Sequence, residues 1–197
     1  LRLEKGTGLV IVAHPDDETI WMGGTLLAFP QIKWTILSLC RSDDKDRAPK
    51  YRRVCKLYRA RAIISDLEDE GRMNIGESIP EIKKRLRREL SDRRFQYIFT
   101  HGYNGEYGHA RHKGVHAAVR ELITEKFLSA PLIFNFNYRF DDKKNFAVPN
   151  RKAKFALKFS KKIYAAKRNI IARHYDFSKN SFEYLSSAPI ETFSHLI

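Results

Sequence analysis

The chain has 197 residues, of which 43% are hydrophobic and 12% aromatic, a composition that favours one globular domain over two. Its two cysteines, Cys40 and Cys55, are too few for a disulfide scaffold and do not form a CxxC metal pair. No apolar run reaches the roughly 18 residues of a membrane span, and the first residues lack a signal-peptide pattern. We therefore expect a single cytoplasmic domain over residues 1–197 without a transmembrane segment.

The 37 lysines and arginines exceed the 23 acidic residues by 14. A surplus of that size attracts anions such as nucleic acid, lipid head groups or phosphorylated sugars. An ordinary solvated basic surface is an equally simple interpretation. The charges recur along the chain and do not form a tail, which favours basic helix faces over a disordered nucleic-acid arm.

The first part of the chain alternates strand and helix patterns. A continuous apolar run at 8–14 predicts a buried strand, and residues 15–29 predict a helix with Pro15 in its first turn. A second strand is predicted at 33–40. A charged loop then leads into a helix that ends near residue 62, and 60–65 has the pattern of a short strand.

The alternation continues to the end of the chain. Residues 80–93 predict a charged amphipathic helix and 95–101 a third clear strand. A loop with three glycines interrupts regular structure before a helix at 109–127. A further strand is predicted at 131–138, and the basic stretch 151–175 predicts one long C-terminal helix.

These elements predict an α/β fold, a Rossmann-like three-layer sandwich with a mostly parallel sheet. Active sites in such folds lie beyond the carboxyl ends of the strands. Two polar clusters, at 13–18 and 101–116, begin where predicted strands end. We therefore expect both clusters to line one crevice.

The first cluster reads Ala-His-Pro-Asp-Asp-Glu at residues 13–18. Neighbouring carboxylates repel one another unless a positive charge lies between them, and a bound dication supplies that charge. Imidazole nitrogen and carboxylate oxygen are both ordinary zinc ligands. The alternative is an acidic helix start, in which Asp and Glu simply favour the helix dipole.

The second cluster contains His101 and three histidines spaced along one helix face, His109, His112 and His116. Two histidines in a first turn after a glycine-rich loop favour a ligand role for His109 or His112, although packing or surface roles remain open. Together with His14 and one aspartate, a distal histidine gives a His₂Asp set with an open position, typical of catalytic zinc. The spare carboxylate can then take a proton from the metal-bound water, and the spare imidazole can stabilise the developing oxyanion or protonate the leaving amine.

These residues resemble the LmbE-like / PIG-L de-N-acetylase family. The A-H-P-D-D-E motif is intact at 13–18, and the G-H-x-x-H motif appears at 108–112. The C-terminal helix with its late His174 also resembles the closing helix of the family. The resemblance spans most of the chain, and the paired motifs are far more specific than either one alone.

The resemblance implies a zinc ion, one per chain, held by His14, Asp17 and His112. It implies Asp16 as the general base and His109 as the group that stabilises the tetrahedral intermediate. Glu18 would lie behind the ligands and orient them or close the helix start. The implied reaction is hydrolysis of an N-acetyl group on a glucosamine-type sugar.

The sequence departs from the family in the segments that shape the substrate pocket. Cys55 stands where an Arg-x-x-Glu segment would place its glutamate, and the loop at 40–50 differs from the common type. Substrate contacts are predicted from Arg41, Arg52 and Asn104. For the two arginines the alternative is solvated charge, and for Asn104 it is an ordinary turn role.

The expected partner is a small amino-sugar substrate, with an anionic or lipid-linked form slightly favoured by the charge and no nucleic acid. Homo-oligomerisation stays open. One rival function is a metal-dependent hydrolase of another acyl amide or of a phosphoester. The other is a basic nucleic-acid or membrane-surface module with a structural metal, against which the surplus Asp16 and His109 argue.

Overall fold

The computed structural model describes residues 1–196 as an α/β fold. The strands are β1 Thr7–Val12, β2 Lys33–Cys40, β3 Arg61–Leu67, β4 Tyr97–Thr100, β5 Leu132–Phe136, β6 Tyr138–Asp141, β7 Phe146–Pro149, β8 Phe155–Lys158 and β9 Ile190–His195. The helices are α1 Asp17–Ala28, α2 Arg47–Leu57, α3 Ile75–Glu89, α4 Gly105–Gly108, α5 Ala110–Thr124, α6 Lys161–Asn169, continued by a π-helical turn Ile170–His174, and α7 Phe182–Ser186. Within residues 1–196 we find no helix with the length and apolar character to cross a membrane.

The central sheet has seven strands in the order β3-β2-β1-β4-β5-β9-β8. The first five of these are parallel, and β9 and β8 add two antiparallel pairings at one side. Strands β6 and β7 form a separate hairpin. The order of the five parallel strands is that of the Rossmann fold, so the predicted fold class is confirmed.

Helices cover both faces of the sheet because successive strand residues point to opposite sides. In β1, Val10 and Val12 join a core on one face that includes Trp21 of α1 and Tyr51 of α2. Leu9, Ile11 and Ala13 join the opposite core, packed against α3 and α5. Both faces of β1 are fully buried, which explains its continuous apolar sequence.

Helix α3 begins five residues before the predicted start at residue 80. Asn74 accepts a hydrogen bond from the Glu77 backbone N–H, and the Glu77 side chain accepts one from the Asn74 N–H. This capping box fixes the helix start. Pro80 therefore lies inside the helix and not at its first position.

The prediction of one helix over 151–175 is wrong. Residues Phe155–Lys158 form β8, and the helix starts only after Ser160, whose side chain accepts a hydrogen bond from the Ile163 N–H. The stretch 152–160 alternates exposed and half-buried residues, a period of two that indicates a strand. The many lysines obscured that period in the sequence.

Helix α1 is interrupted at Met22, which has non-helical backbone angles. Glu191 of β9 accepts hydrogen bonds from the backbone N–H groups of Gly24 and Thr25 at 2.7 and 2.9 Å. Its charge is paired with Lys167 of α6 at 2.7 Å, and both side chains are fully buried. Glu191 thus caps the second half of α1 and joins it to the C-terminal part of the fold.

Candidate metal and catalytic site

The site is built at the carboxyl ends of the neighbouring strands β1 and β4. The Ala13 N–H donates to His101 Nε2 at 2.9 Å, which fixes the end of β1 against the end of β4. The chain then turns sharply into α1 through Asp16, whose φ of 126° is a strained value for a residue with a side chain. This turn projects His14 and Asp17 towards the start of α5.

Three side-chain atoms that could each bind a metal ion converge at this point. His14 Nδ1 lies 3.2 Å from Asp17 Oδ2, His112 Nε2 lies 3.4 Å from the same oxygen, and the two nitrogens are 3.3 Å apart. The three atoms form a nearly equilateral triangle. Asp17 and His112 are buried, and His14 is half-buried.

The outer atoms of both imidazoles are held by carboxylates. Asp69 Oδ1 lies 2.8 Å from His14 Nε2, and Glu106 Oε2 lies 2.6 Å from His112 Nδ1. Because a carboxylate accepts, each of these outer nitrogens carries the proton. When the rings are neutral, the lone pairs of the other nitrogens, His14 Nδ1 and His112 Nε2, both point towards Asp17 Oδ2.

With both rings neutral, three lone pairs face one another at 3.2–3.4 Å and repel unless a cation or a proton lies between them. A tetrahedral zinc ion, with bonds of about 2.0–2.1 Å, sets its ligand atoms about 3.3–3.4 Å apart. The donor types, the spacing of the atoms and the carboxylates behind the imidazoles all fit such an ion. The described residues could therefore hold the divalent ion that the family resemblance implies.

Glu106 is fully buried and serves both His112 and His101. Its Oε2 also lies 2.9 Å from His101 Nδ1, and its Oε1 accepts a hydrogen bond from the Gly102 N–H at 2.6 Å. Burial raises its pKa, but the interactions with the imidazoles of His101 and His112 lower the pKa of Glu106 to about 2. Glu106 is therefore a carboxylate that orients two rings.

His101 and His109 are held differently from the three converging residues. His101 Nε2 already accepts the Ala13 N–H, so its lone pair is not available to an ion. His109 Nδ1 accepts from the Arg111 N–H at 3.2 Å, which places the proton of the neutral ring on Nε2. Burial and the nearby His112 lower the pKa of His109 to about 4. His109 is thus a neutral hydrogen-bond donor beside the triangle.

Asp16 lies in the same cavity as His14 and Asp17. Its Oδ2 accepts from Arg47 Nη1 at 2.5 Å, while Oδ1 makes no hydrogen bond to any residue in 1–196. Burial and the nearby Asp17 raise the pKa of Asp16, and Arg47 opposes that shift. Arg47 is itself stacked on Phe177, 4.4 Å from the ring centre, so its position is constrained from both sides.

Glu18 lies behind the site and is fully buried. Its Oε2 accepts from the Asp16 N–H at 3.0 Å, which holds the strained turn. Its Oε1 accepts from the hydroxyls of Thr19 and Tyr175 at 2.5 and 2.8 Å. This placement agrees with a role in closing the start of α1, and burial raises the pKa of Glu18 to about 7.

A cavity of about 170 Å³ opens over the triangle. This volume is below the range of about 300–1,000 Å³ typical of pockets for drug-sized ligands, so it fits the reacting end of a substrate. Trp21, Tyr107 and Phe182 form an aromatic wall. The ring centre of Tyr107 lies 6.2 Å from that of Trp21 and 4.6 Å from that of Phe182. The lining residues are His14, Pro15, Asp16, Asp17, Ile20, Trp21, Arg41, Arg47, Asp69, Tyr107, His109, Phe182 and Glu183.

The three residues predicted to contact the substrate differ in their position relative to the cavity. Arg41 lines the cavity and pairs with Asp69 at 2.8 Å. Arg52 is exposed on α2 and does not line it. Asn104 accepts from the Glu106 N–H and donates to the Tyr138 carbonyl at 2.8 Å, which is the turn role.

Several site residues were not predicted. Asp69 follows β3, whose short pattern gave little reason to look for function at its end. Glu106 lies in the glycine-rich loop as an isolated acidic residue. Phe182 and Glu183 come from α7, far along the chain, and no motif marks them. The acidic run 66–70 after the strand pattern at 60–65 was the one available signal.

The structure thus defines an α/β domain with Rossmann-like strand order and a His₂Asp triangle at the carboxyl ends of its parallel strands. Residues 9–123 match the family described as PIG-L, GlcNAc-PI de-N-acetylase, and the chain belongs to this family. A curated relative, uncharacterized protein L374 of Acanthamoeba polyphaga mimivirus, is 24% identical over 150 residues. The match covers 68% of this chain but only 63% of L374, less than two thirds of that protein.

Solved structures share the fold at low sequence identity. The 4-carboxy-2-hydroxymuconate hydratase GalB from Pseudomonas putida has a TM-score of 0.67 at 13% identity, covering 97% of this chain and 96% of that one. The N,N'-diacetylchitobiose deacetylase from Pyrococcus horikoshii has 0.61 at 14%, with 96% and 83% covered. The zinc-inhibited form of teicoplanin deacetylase Orf2 has 0.59 at 12%, with 89% and 88% covered. These similarities support the fold but do not establish the reaction.

Proposed function

We propose that this protein is a zinc-dependent hydrolase that removes the N-acetyl group from an N-acetylglucosamine-type substrate. The observation that carries the proposal is the triangle of His14 Nδ1, Asp17 Oδ2 and His112 Nε2, whose lone pairs converge at 3.2–3.4 Å. Membership of the GlcNAc-PI de-N-acetylase family supports the choice of an acetamido sugar.

His14, Asp17 and His112 would hold one ion, which when bound supplies a Lewis acid for the acetyl carbonyl and for the attacking water. Asp16 is the proton acceptor. Its Oδ1 makes no hydrogen bond within residues 1–196, while Arg47 fixes its Oδ2. The proton that Asp16 takes from water passes to the departing amine when the C–N bond breaks. Acetate and the free amino sugar are the products.

His109 stabilises the charge that develops on the acetyl oxygen. Its Nδ1 accepts the Arg111 N–H, so its Nε2–H donates a hydrogen bond. The aromatic wall of Trp21, Tyr107 and Phe182 supports the apolar face of the sugar ring and keeps water away from the reacting bond. Arg41 and Glu183 at the cavity wall are the polar groups available to sugar hydroxyls.

The test is release of primary amine and of acetate from a panel of acetylated substrates: N-acetylglucosamine, diacetylchitobiose, an inositol-linked N-acetylglucosamine and a simple acetanilide. We expect release from a sugar of the panel, abolition by a chelator and recovery with one equivalent of zinc. Zinc is also titrated above one equivalent, since a teicoplanin deacetylase of this fold has a zinc-inhibited form.

Two outcomes would replace the proposal. Hydrolysis confined to the anilide, or to a phosphoester added to the panel, would leave a metal hydrolase with a different substrate. Because the fold is shared with a hydratase, the panel also includes an unsaturated carboxylic acid. Addition of water to that acid, without any amine release from the sugars, would move the protein out of amide hydrolysis altogether.

A further inference from the structure

Basic residues recur along the chain, but the net positive charge is unevenly distributed. Residues 143–175 contain eleven lysines and arginines and no aspartate or glutamate, in a chain whose net charge is +14. Six of these cations fall within residues 151–162, the sequence RKAKFALKFSKK, which we call the basic edge. This segment contains β8 and the first turn of α6.

All six cations of the basic edge are exposed, and none forms an ion pair with a residue in 1–196. The cations of α3 behave differently. Lys83 lies 2.7 Å from Glu121, Arg85 lies 2.6 Å from Glu81, and Arg87 lies 2.5 Å from Glu125. Arg88 likewise pairs with Asp66, so four of the five cations of α3 are compensated within the fold, whereas charge on the basic edge is left for a partner.

Protection of the sheet edge accounts for only part of this pattern. Strand β8 ends the sheet, and exposed lysines such as Lys154 and Lys158 commonly block edge-to-edge association. Lys161 and Lys162 are not explained in that way. They lie in the first turn of α6, where a positive charge is opposed by the helix dipole.

The basic edge ends on the same side of the sheet as the catalytic cavity. Both β5 and β8 are antiparallel to β9, so β8 runs parallel to β5 and to the site strands. Phe193 of β9 pairs with Phe136, the last residue of β5, on one side and with Phe155 of β8 on the other. Lys158 therefore lies three residues beyond the level at which β5 ends. Four strand spacings, about 19 Å, separate β8 from β1.

We propose that the basic edge binds the anionic surface of a phospholipid bilayer. The cavity and this contact would then lie on the same side of the sheet. The segment spans several charged positions and so suits a surface of many phosphates better than one bound anion. Lysine and arginine clusters of this size bind anionic lipid surfaces electrostatically. The contact does not depend on the proposed reaction.

The side chains favour a bilayer over nucleic acid. The exposed positions of the segment carry Lys, Arg, Ala and Ser, without an aromatic ring on which a base can stack. Phe155 and Leu157 pack against the core, and Phe159 touches α1 at Gly24.

Vesicle co-sedimentation of the full chain tests this inference without any enzyme assay. The vesicles are pure phosphatidylcholine or phosphatidylcholine with about 30% phosphatidylserine, at low salt and at about 0.5 M salt. The variant K158E/K161E/K162E is compared with a control, R2E/K5E/K33E, that makes the same change in net charge. Arg2, Lys5 and Lys33 are exposed and lie at or before the amino ends of β1 and β2.

We expect wild type and the control to bind the anionic vesicles at low salt only, with the K158E/K161E/K162E variant weakened about a hundredfold, at about fivefold per cation removed. Absence of wild-type binding, or equal loss in the control, would overturn the proposal. Duplex DNA is added as a competitor. If it binds more tightly through the same three lysines, the partner is nucleic acid and the bilayer proposal is wrong. Circular dichroism shows whether each variant is folded.

Discussion

His14 and His112 are 98 positions apart in the chain, yet their Nδ1 and Nε2 atoms lie 3.3 Å from each other. The contact arises because β1 and β4 are adjacent parallel strands whose carboxyl ends meet at one edge of the sheet. Asp17 Oδ2 lies within 3.4 Å of both nitrogens. One ion at this point would join the first strand to the first turn of α5.

The carboxylates behind the imidazoles should control metal affinity. Glu106→Gln removes the charge that fixes the His112 tautomer, and we expect metal to bind about 10–100-fold more weakly. Asp69→Asn should act similarly through His14. Competition with a chromogenic chelator measures the affinity. Glu183→Gln is the control, since Glu183 lines the cavity but makes no hydrogen bond to the three proposed ligand residues among the described residues. Unchanged affinity in Glu106→Gln would remove the orienting role.

Asp16→Asn should separate catalysis from metal binding. The amide keeps the shape of the carboxylate but does not accept a proton, so turnover should fall by about a hundredfold or more while the metal is retained. Amine release and metal content are measured on the same preparation. Wild-type turnover in this variant would exclude Asp16 as the base, and loss of the metal would place it among the ligands.

His109→Phe removes the Nε2–H donor and keeps a ring of similar size. We expect the turnover number to fall by about 10²–10³-fold, the usual effect of losing one oxyanion donor. The substrate concentration at half-maximal rate should change much less. If metal content falls instead, His109 is a ligand, and the assignment of His112 must be revised.

The buried pair of Lys167 and Glu191 should dominate the stability of the C-terminal part. Glu191→Ala removes the acceptor of the Gly24 and Thr25 N–H groups and leaves the buried Lys167 ammonium with only the Ala188 carbonyl at 3.4 Å. Removing one partner of a buried pair costs about 3–5 kcal/mol in the free energy of unfolding. Urea denaturation measures this loss. Arg88→Ala, which removes an exposed ion pair on α3, should leave the midpoint unchanged, and an equal shift there would contradict the account.

Much of the fold follows from the sequence because the parallel strands are short and buried on both faces. Strand β2 spans the predicted residues 33–40, and β3 falls on the short pattern at 60–65. The edge region was not predictable in the same way. Strand β8 is buried on one face only, and its lysines resemble those of a basic helix.

The converging residues came from two motifs that each follow a predicted strand, since parallel topology brings strand ends together. The motifs do not include the carboxylates that orient their histidines. Asp69 and Glu106 act on His14 and His112 through contacts between distant segments, and nothing local marks an isolated acidic residue as a hydrogen-bond acceptor for a ligand. Arg52 shows the converse, a residue aligned with a motif position but exposed on α2.

Metal stoichiometry tests the central claim most directly. Equilibrium dialysis against zinc, followed by elemental analysis, should give about one ion per chain for wild type and for His116→Ala, a histidine one turn beyond His112 on α5. Asp17→Ala and His112→Ala should retain almost none. Full metal content in both of these variants would contradict the account, because the ion would then be held by atoms other than the converging three.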